Sequence, residues 1–184
     1  VAQSSLIYIT GMPGSGKSTV CDELKRRGHV AYDTDNDSIA FFYNNVTGKA
    51  IKRHIPAADR TPEWRAQYAW KAKRETVEGL LADTEGATIF LCGVTANDVD
   101  ELWDLFAKVF ALVIGDEQAL RTRIANRRED GYGKNPHELA ALLEWQRTAA
   151  ADFEELGAIL VDATEPLEKV VDTILAQAAP GSPN

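Results

Sequence analysis

The sequence is poor in sulfur. Only Cys21, Cys92 and Met12 carry it among 184 residues. Two cysteines build no disulfide framework, so they read as reduced thiols in a cytoplasmic protein. The three histidines, His29, His54 and His137, have no metal-ligand spacing. No apolar run approaches the ~18 residues of a membrane span, so no membrane partner is expected. The start, VAQSS, has no basic segment and leads only into the short run LIYI, which is not the pattern of a signal peptide. It also has no methionine, which points to a processed or trimmed start. Positive charge is in deficit: 20 Lys and Arg stand against 28 Asp and Glu, for a net charge of −8. That balance disfavours a nucleic-acid partner, which needs a basic surface.

What is present is an ordinary globular composition, with 45% hydrophobic and 26% charged residues. The length suits one domain over 1–179, with 180–184 as a flexible tail. The basic residues are clustered. One group runs from Lys49 to Arg74 and includes Lys52, Arg53, Arg60, Arg65, Lys71 and Lys73. Another holds Arg121, Arg123, Arg127, Arg128 and Lys134. Two local patches on an acidic chain suit a small anionic ligand.

Short apolar runs alternate with helical patterns. Strands are expected at Leu6–Thr10, His29–Tyr32, Thr88–Cys92, Val109–Ile114 and Ala158–Val161. Helices are expected at Ser18–Arg27, Asn36–Tyr43, Val99–Phe106, Glu117–Arg128, from Pro136 to about Leu156, and at Leu167–Ala178. Thr61-Pro62-Glu63 is a helix start, with an N-cap, a first-position proline and a first-turn acid; that helix is expected to reach Ala82. The alternation means an α/β fold with a mostly parallel sheet.

The strongest motif is Gly11-Met-Pro-Gly14-Ser15-Gly16-Lys17-Ser18. It fits G-x-x-x-x-G-K-[ST] at every fixed position and lies between an expected strand and an expected helix. Glycines let the backbone curl until several N–H groups face one anion. The helix N-terminus adds partial positive charge there. Lys17 suits the outer phosphates, and the Ser18 hydroxyl suits Mg²⁺.

Ligands of such sheets bind beyond the carboxyl ends of the strands. The second strand ends in Asp33-Thr-Asp35-Asn-Asp37. A carboxylate here either orients a metal or takes a proton from a substrate hydroxyl; Asp35 also suits a helix N-cap. The third strand ends in Cys92-Gly93-Val-Thr95-Ala-Asn97 and lacks an acid. Gly93 suits close approach of a ligand. Thr95 and Asn97 suit either substrate contact or, for Asn97, a helix cap. Trp64 and Tyr68, four apart, suit one helix face. One or two rings among Phe41, Phe42, Tyr43, Trp64, Tyr68 and Trp70 suit stacking on a ring compound, and core packing suits the rest.

These motifs resemble the nucleoside-monophosphate kinase and shikimate kinase group of P-loop small-molecule kinases, over Leu6 to Leu175. The run Cys-Gly-x-x-x-Asn, the Tyr-Gly-Lys stretch and Asp162-Ala-Thr164-Glu-Pro166-Leu are similar to small ATP-binding kinases of AAA type. The resemblance implies a three-layer fold with a five-stranded parallel sheet in the order 2-3-1-4-5, an acceptor-binding region at about 44–61 and a lid at about 126–136. It implies ATP and Mg²⁺ as cofactors and a small-molecule acceptor, with the chain a monomer or homodimer. Nucleotide binding falls to Gly11, Gly14, Ser15, Gly16, Lys17, Ser18, Thr19 and Arg123, with Asp162, Thr164 and Pro166 at the base. Asp33 and Ser18 are placed at the metal. Lys17, Asp35, Arg123 and Arg127 are the catalytic set. Asp33, Asp35, Arg53, Arg60, Gly93 and Asn97 are the acceptor set. The chain departs from adenylate kinases and shikimate kinases after the third strand, which leaves the acceptor open among nucleosides or nucleotides, sugar acids, shikimate-like acids and antibiotic hydroxyls. The competing reading is a P-loop ATPase or nucleotide-dependent switch acting through a protein partner.

Overall fold

A computed structural model describes residues 4–82, 84, 86–127 and 131–179. The expected tail, 180–184, and the lid residues 128–130 lie outside the described residues. The central sheet is built from β1 (Ser5–Gly11), β2 (Val30–Asp33), β6 (Thr88–Cys92), β7 (Lys108–Val113) and β8 (Ile159–Asp162). All its pairings are parallel. Its order is β2-β6-β1-β7-β8, the expected 2-3-1-4-5 when these five strands are counted alone.

The strands are continuous apolar runs because both faces are covered. In β1, Leu6, Ile7, Tyr8 and Ile9 are buried, as are Phe90 of β6 and Phe110 of β7. α1 (Lys17–Arg26) packs on β1, β2 and β6 and against α7 (Leu167–Ala178). α6 (Ala149–Glu155) packs on β7 and β8. Among the described residues, no helix is long and apolar enough to cross a membrane.

A second sheet was not expected. β3 (Ala40–Asn44), β4 (Ala50–Ile51) and β5 (Tyr68–Ala72) form an antiparallel sheet in the order β4-β3-β5. The expected helix over Asn36–Tyr43 is therefore corrected to a turn followed by a strand. Ser38, with φ 59°, interrupts any helical path, and Phe41, Phe42 and Tyr43 favour a pleated surface. The expected helix from Thr61 to Ala82 is likewise three elements. α2 (Pro62–Gln67) starts as read, with Thr61 Oγ1 accepting from Trp64 N. It then gives way to β5, and α3 (Arg74–Ala82) follows. The expected Val99–Phe106 helix is a π turn over Asp98–Leu102 and a 3₁₀ turn over Trp103–Leu105. α4 (Glu117–Ala125) ends before Arg128, and the long helix from Pro136 is split into α5 (Pro136–Gln146) and α6.

Candidate active site

The second sheet stands beside the carboxyl ends of the central strands. Between them lies a cleft of about 1310 Å³. One end is the glycine loop after β1. Gly14 and Gly16 have φ of 91° and 98°, left-handed values that favour glycine. They turn the loop around the start of α1. The buried Ser15 hydroxyl has no hydrogen-bond partner among the described residues, and Ser15 lines the cleft. An orphan donor in a curled loop at a helix start suits a phosphate oxygen.

Lys17 Nζ donates to the carbonyls of Gly11 and Met12, at 2.7 and 2.9 Å. Burial pulls its pKa down to about 8; Asp35 and Asp33 oppose the shift and Arg127 adds to it. Arg123 donates from Nη1 to Ser15 O at 3.1 Å and from Nη2 to Ala163 O at 2.5 Å. It thereby bridges the glycine loop to the turn after β8. Ser18 and Thr19 line the same end. Arg127 reaches the carbonyl of Tyr132 at 3.3 Å.

Asp35 is exposed at the cleft. Its Oδ1 accepts from Thr34 Oγ1 at 2.9 Å and from Trp70 Nε1 at 3.2 Å. Asp33 is buried. Its Oδ1 accepts from the backbone N–H groups of Asp35 and Asn36 at 2.9 and 3.1 Å, so one of its oxygens shapes the loop that presents Asp35. Thr95, in the expected acceptor loop, lines the cleft with a buried hydroxyl that has no described partner.

Other expected acceptor residues are occupied by the fold. The Asn97 side chain pairs with both backbone groups of Ala72, accepting from N at 3.2 Å and donating to O at 2.8 Å. It ties β5 to the loop after β6. A Cβ at Gly93 would lie 2.1 Å from Thr34 Oγ1, so the missing side chain makes room for Thr34. Arg60 is buried, and its guanidinium is held by Glu138 at 2.9 and 3.3 Å, Ile55 O at 2.9 Å and Gly131 O at 3.3 Å. Arg53 lines the cleft and is exposed. At the expected base loop, Asp162 is exposed and accepts from the Thr164 backbone and hydroxyl, while Ala163, Glu165 and Leu167 line the cleft. Pro166 is the residue before α7.

Two features escaped the sequence reading. The first is Glu138, in the first turn of α5. It is 1% exposed and accepts from Arg60, from Arg65 Nη2 at 2.7 Å and from Gly133 N at 2.9 Å. Burial alone would raise its pKa, but the Arg60 and Arg65 hydrogen bonds prevail and lower it. The second is the wall that Arg65 builds. Its guanidinium lies 4.4 Å from the Tyr132 ring centre and 5.5 Å from that of Phe42. Basic residues near Tyr132 were visible in sequence, but contacts bridging more than 60 residues were not.

No group of three or more His, Cys, Asp or Glu side chains suited to a metal occurs among the described residues. Cys21 and Cys92 are both buried, and burial raises the Cys92 thiol, so they are packing thiols.

Comparison with known proteins gives a consistent outcome. A family model described as an AAA domain matches residues 7–144. A shikimate kinase of Frankia casuarinae is 27% identical over 179 residues, covering 95% of this chain and 73% of that protein. A shikimate kinase from Acinetobacter baumannii, solved with shikimate, superposes with a TM-score of 0.59 at 16% identity, over 93% of this chain and 90% of that one. A gluconokinase from Sinorhizobium meliloti gives 0.54 at 19% identity, over 99% and 95%. At these identities the likeness to the solved structures is one of fold.

Proposed function

The chain belongs to the AAA-domain family, and from that premise we propose that it is an ATP-dependent phosphotransferase acting on a small molecule. It moves the terminal phosphoryl group of ATP to a hydroxyl or phosphate of the acceptor. The observation that carries this reading is the shared cleft: the glycine loop with Lys17 at one end, Asp35 exposed on the same space, and the second sheet beside it. The kinase names of its relatives, shikimate kinase and gluconokinase, support it.

Lys17 and the loop N–H groups hold the outer phosphates. Arg123 and Arg127 offset charge that spreads over the transferring group. Asp35 takes the proton of an acceptor hydroxyl as that oxygen bonds to phosphorus and the bond to ADP breaks. Ser18 and Asp33 supply a hydroxyl and a carboxylate oxygen, hard donors that suit Mg²⁺, which otherwise keeps its waters. When bound, the ion neutralises phosphate charge. Asp162, Thr164 and Pro166 frame the base-binding turn. The stretch at 126–136 serves as a lid that keeps water from the phosphoryl group. The reduced thiols and the need for ATP fit the cytoplasm.

The test is transfer of labelled γ-phosphate from Mg·ATP into pooled small acceptors: nucleosides, nucleotides, sugar acids and hydroxylated antibiotics. Label in a new organic product is the expected result. Label released only as inorganic phosphate, at a rate no acceptor changes, would overturn the reading and favour an ATPase.

A further inference from the structure

One side chain touches both chemistry and shape in this cleft. Trp70, on β5, is half-buried and lines the cavity. Its indole N–H donates to Asp35 Oδ1, which Thr34 also serves. Among the described residues no hydrogen bond reaches Asp35 Oδ2, so two donors fix one carboxylate oxygen at the cleft and leave the other to a ligand. The Trp70 ring meets Phe42 at 64°, with centres 4.8 Å apart. No described ring lies stacked face to face on the indole, whereas Trp64 is stacked on Tyr68 at 4.7 Å.

Of the cations that line the cleft, Lys52 and Arg53 are exposed to it, whereas the two nearest β5 are differently disposed. Arg60 and Arg65 both come from the segment next to β5, and both are engaged by the buried Glu138. A hydroxy acid seeking them would have to displace a carboxylate held at 2.7 and 2.9 Å. The faces of the Arg65 guanidinium are taken by Tyr132 and Phe42, and its buried Nε has no hydrogen-bond partner among the described residues. The indole of Trp70 is therefore the flat surface that β5 turns to the cleft.

We propose that the acceptor is a planar aromatic ring with a hydroxyl on a short arm, its ring stacked on Trp70 and its hydroxyl at Asp35. This rests on the phosphotransfer reading above. Trp70 is then both the surface that selects the acceptor and the positioning residue for Asp35. Nucleosides and benzyl-type alcohols share this chemistry, and the experiment separates them.

The experiment offers four acceptors singly with labelled Mg·ATP: thymidine, 4-nitrobenzyl alcohol, shikimate and gluconate. Label is expected in one or both aromatic alcohols. With that acceptor, Trp70→Leu, which removes both ring and N–H, should raise KM about tenfold, the scale of a lost aromatic stack. Trp70→Phe keeps a ring, so KM should stay near the parent value while kcat falls. Quenching of tryptophan fluorescence by 4-nitrobenzyl alcohol gives a readout apart from turnover; most of it should disappear in Trp70→Phe. Label in shikimate or gluconate but in neither aromatic alcohol would overturn the proposal and leave phosphotransfer standing. Label only in inorganic phosphate with these four would overturn the proposal, and the same result with the whole acceptor pool above would overturn phosphotransfer as well. An aromatic product whose KM is the same in Trp70→Leu would overturn the stacking.

Discussion

Lys17 illustrates how one residue carries both binding and a pH response. Its pKa is pulled down to about 8 because burial disfavours the charge. Phosphate oxygens reverse that preference, so nucleotide binding at pH 8–9 should take up a proton. Titration calorimetry in buffers of different ionisation enthalpy reads this directly, and Lys17→Met should abolish the uptake. The sign for stability follows from the same number. A lysine lowered in the folded state leaves the unfolded chain binding more protons between pH 8 and its ordinary value, so the protein gains stability as pH rises through that window. Below pH 8 both states are protonated and the cost of burial is fully present. Asp35 is the complementary case: Asp35→Asn should lower transfer about 10²–10⁴-fold while ATP affinity, measured by equilibrium binding, changes little. An equal loss of both would move Asp35 to the metal. The glycine loop was legible in sequence because its spacing is local. The commitments of Asn97 and Gly93 were not, because each depends on a residue far along the chain, Ala72 and Thr34.

At the scale of elements, the misread helix from Thr61 is instructive. Its start obeyed local rules and was legible. Its end was not, because Trp64 and Tyr68 look like neighbours on one helix face. They do stack, at 4.7 Å, yet Tyr68 already begins β5. What decides the matter is the pairing of Tyr68–Ala72 with Ala40–Asn44, a tertiary preference that overrides helical spacing. α5 shows the same limit. Proline at its first position and an acid in its first turn marked the helix, but a first-turn acid read from sequence is only a partner for the helix dipole. Here Glu138 is the shared acceptor of two arginines. Glu138→Gln should destabilise the fold by about 3–5 kcal/mol, since it leaves the buried Arg60 guanidinium uncompensated. Urea denaturation checks this. A loss below about 1 kcal/mol would mean that the charges find water.

For the whole molecule, the parallel sheet was legible because its strands announce themselves as apolar runs separated by helices, while the strand order came only from the resemblance to P-loop small-molecule kinases. The second sheet was not, since its strands are short and half exposed. Glu138 connects this sheet's surroundings to the loop at Gly131–Gly133. Segments 55–65 and 131–138 should therefore gain protection together in hydrogen exchange when a non-hydrolysable ATP analogue binds. In Glu138→Gln the two should respond separately. Independent protection in the parent protein would show that segment 131–138 responds without segment 55–65.

The entry and exit of that second sheet lie side by side. Ala40, the first residue of β3, pairs with Ala72, the last of β5, so their Cα atoms are separated by about 5 Å. A stretch of more than thirty residues thus leaves and rejoins the central body at a single seam, with Asn97 stitching one edge. Such a stretch is portable. Residues 40–72 form a cassette whose chain ends meet at one junction and whose far side is anchored by Arg60 and Arg65 on Glu138. On the proposed function, exchanging it together with Glu138 would retarget the acceptor while leaving the glycine loop untouched, which makes this seam the natural cut for building kinases of altered choice.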